Sequence, residues 1–140
     1  MTQTLQKPAP RSNSSEQVEP ITIDCDHIMT YAGGDSGQLI QLCASFLSEL
    51  PVHMLALRNA LKRRELLAAK RAVQHLSSCL IVFGSSPLTF TLESLTAALR
   101  YDRIKQARSE WQRLQYQLDL LVPQVQRLML EAANPRGSVQ

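Results

Sequence analysis

The sequence predicts an all-α fold, an antiparallel up-and-down four-helix bundle with a short extra helix at its N-terminal end. Three observations lead there. No segment alternates polar and apolar residues over a useful length, whereas apolar residues recur at steps of three and four through most of the chain. Aromatics are only 5% of the residues and leucine supplies most of the apolar bulk, as in packed helices. Finally, 140 residues that are 44% hydrophobic and 19% charged suffice for one domain with a single core.

The elements follow in order. Residues 1–20 hold three prolines, several Ser and Gln, and almost nothing to bury, so a disordered leader is expected before a fold that spans 21–133. A short first helix runs from about Asp24 to Ala32 and stops at Gly33-Gly34, which suits a left-handed cap. Asp35 opens the second helix, with Gln38 placed for a capping box. Its apolar stripe is Leu39, Leu42, Cys43, Phe46, Leu47 and Leu50; Pro51 marks a kink or break, and the pattern resumes at Met54, Leu55, Leu57 and Leu61.

A third helix is expected from Leu66 to Phe83, ending at Gly84, and a fourth from Ser86-Pro87 through Leu88, Leu92, Leu95 and Leu99. The fifth has the cleanest stripe: Ile104, Ala107, Trp111, Leu114, Leu118, Leu121, Val125 and Leu128, with Pro123 predicted to kink it or start a new turn. Residues 134–140 read as a flexible tail.

Composition narrows the function. The N-terminal residues lack an apolar signal core, uninterrupted apolar runs are short of a membrane span, and Cys25, Cys43 and Cys79 are odd in number and scattered. A soluble cytoplasmic protein with free thiols is expected, with no membrane partner. The net charge of +3 is too small to imply nucleic acid. Arg58, Lys62, Arg63, Arg64, Lys70 and Arg71 gather around the turn between the second and third helices; without stacking aromatics or a binding motif, they suit an acidic protein partner or a plain solvated turn. Cys25-Asp26-His27 offers metal-ligand types, but His53 and Cys79 stand isolated in sequence, so neither metal nor other cofactor is expected. Ser77 and Ser78 have no base-and-orienter arrangement nearby, and neither enzymatic activity nor a small-molecule substrate is expected.

The third helix holds the informative pattern. At 100° per residue, Val73, Leu76, Leu80 and Phe83 fall on a core side, while Lys70, Arg71, Gln74, Ser77, Ser78 and Ile81 fall opposite. Ile81 is apolar among polar neighbours and suits a contact surface, and His75 lies on the flank of that face.

In these residues the chain resembles the histidine-containing phosphotransfer (HPt) family of bacterial phosphorelays. The family's central helix reads roughly Ala-His-x-Leu-Lys-Gly-Ser-Ala-x-x-Leu-Gly-Ala, and ungapped alignment places its landmarks on Leu76, Cys79, Phe83 and Gly84. Gly33-Gly34-Asp35 resembles the family's Gly-Gly-Asp turn, Phe46-Leu47-Ser48-Glu49-Leu50-Pro51 its Phe-Leu-x-x-Leu-Pro segment, and Leu88, Leu92 and Leu95 its fourth-helix spacing. The resemblance covers about Ile21 to Met129 and implies an HPt-like bundle. The chemistry departs from it: Gln74 occupies the phosphoacceptor position, Ser77 that of the phosphoryl-holding lysine, Ser78 that of the close-approach glycine, and Thr96 that of a common glutamate. Glutamine has no basic nitrogen to carry a phosphoryl group.

The expectation is therefore a two-component signalling module that docks to a response-regulator receiver or a histidine kinase without carrying phosphate, through Lys70, Arg71, Gln74, His75, Ser77, Ser78 and Ile81. Two alternatives stand beside it: an active phosphotransfer protein that uses His75, whose imidazole is nucleophilic when accessible, and a helical protein-interaction module unrelated to phosphorelay.

Overall fold

The computed structural model describes residues 21–83 and 86–134. The predicted leader, Gly84 and the tail beyond Asn134 lie outside the described residues. Among those described, five helices and no strand occur: α1 (Cys25–Tyr31), α2 (Ser36–Lys62), α3 (Leu66–Phe83), α4 (Ser86–Arg100) and α5 (Ile104–Ala133). The all-helical reading holds, and the helix bounds fall within about a residue of those expected.

Local chemistry sets the ends. The Asp24 carboxylate accepts from the His27 N–H at 3.1 Å and starts α1. Its exit needs two left-handed residues, Gly33 (φ 68°) and Gly34 (φ 76°), which lets the Gly34 N–H donate to Met29 O at 3.0 Å. Asp35 caps α2 by accepting from the Gly37 N–H at 3.3 Å. The capping box is incomplete, because the Asp35 N–H donates to Ala32 O at 3.3 Å, so the preceding turn rather than Gln38 satisfies it.

Two turns use one device without glycine. Arg64 (φ 58°) and Asp102 (φ 57°) are left-handed. Each lets the next N–H reach back into the helix, Glu65 to Ala60 O at 2.9 Å and Arg103 to Ala98 O at 2.8 Å. The same two residues launch the following helices, since Glu65 O and Arg103 O accept from Ala69 and Ala107.

The four long helices enclose one core. α2 packs on α3 and α5, α4 on the same two, and α1 sits against α3. Leu57, Leu76, Leu95 and Leu114, one from each long helix, are fully buried, each worth about 1.5–3 kcal/mol over an exposed position. The single buried polar residue among those described, Thr91, donates its hydroxyl to Pro87 O at 3.1 Å. Leu55, expected within the α2 stripe, is exposed instead. Trp111 is half-buried, and its indole N–H donates to Met54 O at 3.2 Å across the α2–α5 seam. Gln124 fixes the N-terminal entry: its amide accepts from the Ile23 N–H at 3.1 Å and donates to Ile21 O.

Pro51 and Pro123, expected to kink their helices, break them or start a new turn, both lie inside continuous helices. Both are exposed and line one hollow between α2 and α5, while Leu50, Met54, Leu121 and Val125 are buried on either side of them and hold the helices together. α4 begins at Ser86 with Pro87 in its first turn, as expected. And α2 and α3 are each long and apolar enough, by length and composition, to cross a bilayer. Counting uninterrupted runs misses this, because sparse charge spread over many turns leaves the average apolar.

Two stability tests follow. Leu114→Ala should cost about 2–5 kcal/mol in denaturant unfolding, and Tyr116→Ala, two residues away on the exposed side, less than about 0.5 kcal/mol. Arg64→Gly should raise stability by about 1 kcal/mol, because an L side chain at that φ carries a cost of about 1–2 kcal/mol that glycine avoids, less its greater unfolded-chain entropy.

Candidate functional site

Leu66 to Phe83 form α3 because a buried stripe recurs along it: Ala69, Ala72, Val73, Leu76, Leu80, Val82 and Phe83. Phe83 meets Phe46 of α2 with ring centroids 4.5 Å apart, which anchors the end of the helix. That stripe fixes the helix's rotation. Lys70, Arg71, Gln74, His75, Ser77, Ser78 and Ile81 are all exposed as expected, Ile81 at 64%.

These residues do not form a flat surface. Lys70, Gln74, Ser77 and Ser78 line a hollow of about 440 Å³ whose other wall is Thr96, Leu99 and Arg100 of α4. It continues into a second hollow of about 520 Å³ lined by Ser77, Ile81, Leu88, Leu92, Glu93 and Arg100. Among the described residues, the side chains of Gln74, Ser77 and Ser78 make no hydrogen bond and Lys70 and Arg100 make no ion pair, so amide, hydroxyls and both cations are available to a ligand or partner. The Thr96 hydroxyl is engaged, donating to Leu92 O at 2.9 Å.

Arg100 was not legible from sequence. It ends α4, far along the chain from Lys70, and only the packing of α4 on α3 brings them to one hollow. The basic set expected around the α2–α3 turn is divided: Arg58 lines the hollow on the α2–α5 side with Trp111, whereas Lys70 lines the one between α3 and α4. A single steering patch is thus smaller than the sequence suggested.

His75 faces a different neighbour. It is absent from the lining of both α3–α4 hollows, and its ring lies against that of His53 from α2, centroids 4.9 Å apart and tilted by 35°. One turn further along α3, the half-buried Cys79 thiol donates to Glu49 Oε1 at 3.6 Å. His53 and Cys79 are therefore not isolated, as their sequence positions implied: donor atoms of Glu49, His53 and Cys79 all lie within 4.8 Å of one another. The signal was present in the i,i+4 pairs Glu49/His53 and His75/Cys79, but only the pairing of α2 with α3 joins them.

The thiols differ in environment. Burial pushes the Cys43 thiol above the ordinary thiol range. Burial also raises Cys79, and the hydrogen bond to and negative charge of Glu49 raise it further. Cys25 is exposed on α1. A thiol-alkylating reagent should therefore label Cys25 first and Cys43 last, and Glu49→Gln should speed Cys79 labelling at a fixed mildly alkaline pH, as read by peptide mass spectrometry. Among known proteins, no family model, curated protein or solved structure matches this chain.

Proposed function

We propose that this chain is a cytoplasmic docking module of the HPt type, an antiparallel bundle that has kept the partner-facing helix of a phosphorelay protein and lost its phosphotransfer chemistry. The observation that carries this reading is Gln74. A neutral amide stands exposed at the centre of the α3 face, in the hollow that Lys70, Ser77, Ser78 and Arg100 share with it. An amide can donate and accept across an interface but cannot hold a phosphoryl group.

The partner is a receiver domain or a histidine kinase. A receiver's carboxylate-lined pocket suits the rim of Lys70 and Arg100, and Ile81 supplies an apolar anchor beside it. The module acts by occupancy: it competes with an active phosphotransfer domain for the same surface, or holds its partner in one state. A different observation favours a second reading, in which His75 carries phosphate, because that imidazole is exposed on the same helix. Against it stands its place beside His53 and outside the hollow.

Two measurements decide between them. Receiver domains from the same organism, tested by calorimetric titration, should include one that binds; Ile81→Asp should weaken that binding more than about tenfold, since an interface core tolerates an unpaired charge poorly. His75→Ala should leave it within about twofold. Equal tolerance of both substitutions removes the docking reading, and stoichiometric phosphate on His75 after incubation with phosphorylated receivers, read by mass spectrometry under conditions that preserve phosphohistidine, replaces it with the second.

A further inference from the structure

The edge of α3 that meets α2 carries a second feature, independent of the docking face. Glu49 and His53 stand one turn apart on α2, and His75 and Cys79 one turn apart on α3. The donor atoms of Glu49, His53 and Cys79 converge to within 4.8 Å of one another. From these we infer that Glu49, His53 and Cys79 form a binding site for a divalent transition-metal ion of the zinc class, with its fourth position open to solvent.

The geometry asks for little movement. Zinc bonds of about 2.0–2.3 Å in a tetrahedron place donor atoms about 3.3–3.7 Å from one another. The Cys79 Sγ to Glu49 Oε1 separation of 3.6 Å already lies in that range. The remaining contraction is within reach of side-chain rotations, because Glu49 is exposed and His53 is half-exposed. Both helices are held rigidly beneath the site by Phe46, Leu50, Leu76 and Leu80, all buried, so the ion would meet a prepared pair of walls rather than a coil.

The donor set selects the ion. One thiolate, one imidazole and one carboxylate suit zinc and its neighbours cobalt and copper; magnesium and calcium prefer oxygen ligands alone. The charges also balance. A divalent cation on one thiolate and one carboxylate is neutral overall, so the half-buried thiol is deprotonated without stranding a negative charge. Binding breaks the S–H bond, forms the metal–sulfur bond, and releases the thiol proton to solvent or buffer. Among the described residues Glu49 has no cationic partner; a thiol is all that its carboxylate engages.

The His75 ring lies 4.9 Å from that of His53, centroid to centroid, and tilted by 35°, beside the converging group rather than in it. Cys25-Asp26-His27 on α1 does not share the site: no donor of that segment belongs to the converging group, and His27 lies edge-on to Tyr31 at 5.7 Å. Cys43, fully buried, is likewise outside it.

Untagged full-length protein, stripped of metal with a chelator, is titrated with Co(II) and then with Zn(II). Co(II) should produce a thiolate-to-metal charge-transfer absorption in the near ultraviolet, Zn(II) should quench it at one equivalent, and about one proton per site should appear in a weakly buffered solution. Cys25→Ser should keep all three signals. Cys79→Ser should abolish the charge-transfer band, and His53→Ala should weaken affinity by more than about 100-fold, beyond the loss that follows removal of a merely supporting residue. Circular dichroism of each variant establishes that it is folded, and a folded Glu49→Gln should lose affinity while keeping the thiolate band at high Co(II). No band in the parent protein, or a band that survives Cys79→Ser and vanishes in Cys25→Ser, overturns the site.

Discussion

The rotational register of α3 is the constraint from which the rest follows. Val73, Leu76, Leu80 and Phe83 must leave water, and once they do, every other residue of the helix has a fixed direction. Rotation by one residue would move the whole stripe by 100° and expose Leu76, now fully buried. The cost would be several leucine-sized transfers at once, of about 1.5–3 kcal/mol each, more than any polar contact on the opposite face could return. Gln74, Ser77, Ser78 and Ile81 thus face outward for reasons that lie beneath them. His75 and Cys79 are turned toward α2 by the same argument.

This separation leaves the outer face free to vary without disturbing the core. The positions at which the chain departs from the HPt pattern, Gln74, Ser77, Ser78 and Thr96, are all exposed, and exchanges at exposed helix positions change stability by only about half a kcal/mol. Several of the positions at which it agrees lie in the core or in a turn: Phe46, Leu50, Leu76 and Phe83 are buried, and Gly33 and Gly34 adopt φ values that other residues resist. Nothing in the packing requires a phosphorylatable residue at 74. A helix can therefore keep its place in the bundle while its outer face is rewritten.

Which features were legible in the sequence follows from the same physics. Helix bounds and buried stripes were readable because apolar spacing reports burial directly, and the stripe of α5 from Ile104 to Val125 is buried apart from the half-buried Trp111. The inward direction of Val73, Leu76, Leu80 and Phe83 and the outward direction of Lys70, Arg71, Gln74, Ser77, Ser78 and Ile81 were readable too. What sequence could not supply was anything made by two helices at once. Arg100 joins Lys70 only because α4 lies on α3, and Glu49 and His53 join Cys79 only because α2 does. Between a kink and a break at Pro51, packing decides: proline's cost in a helix is local, but Leu50 and Met54 bury their side chains on both sides of it and the helix continues.

The two outer edges of α3 have opposite electrostatic character. Toward α4, Lys70 and Arg100 border open hydroxyls and an amide, a setting that favours anionic groups. Toward α2, Glu49 faces a thiol and the His53 imidazole, a setting that favours a cation. Both edges share one backbone, since Gln74 adjoins His75 and Ser78 adjoins Cys79 in sequence.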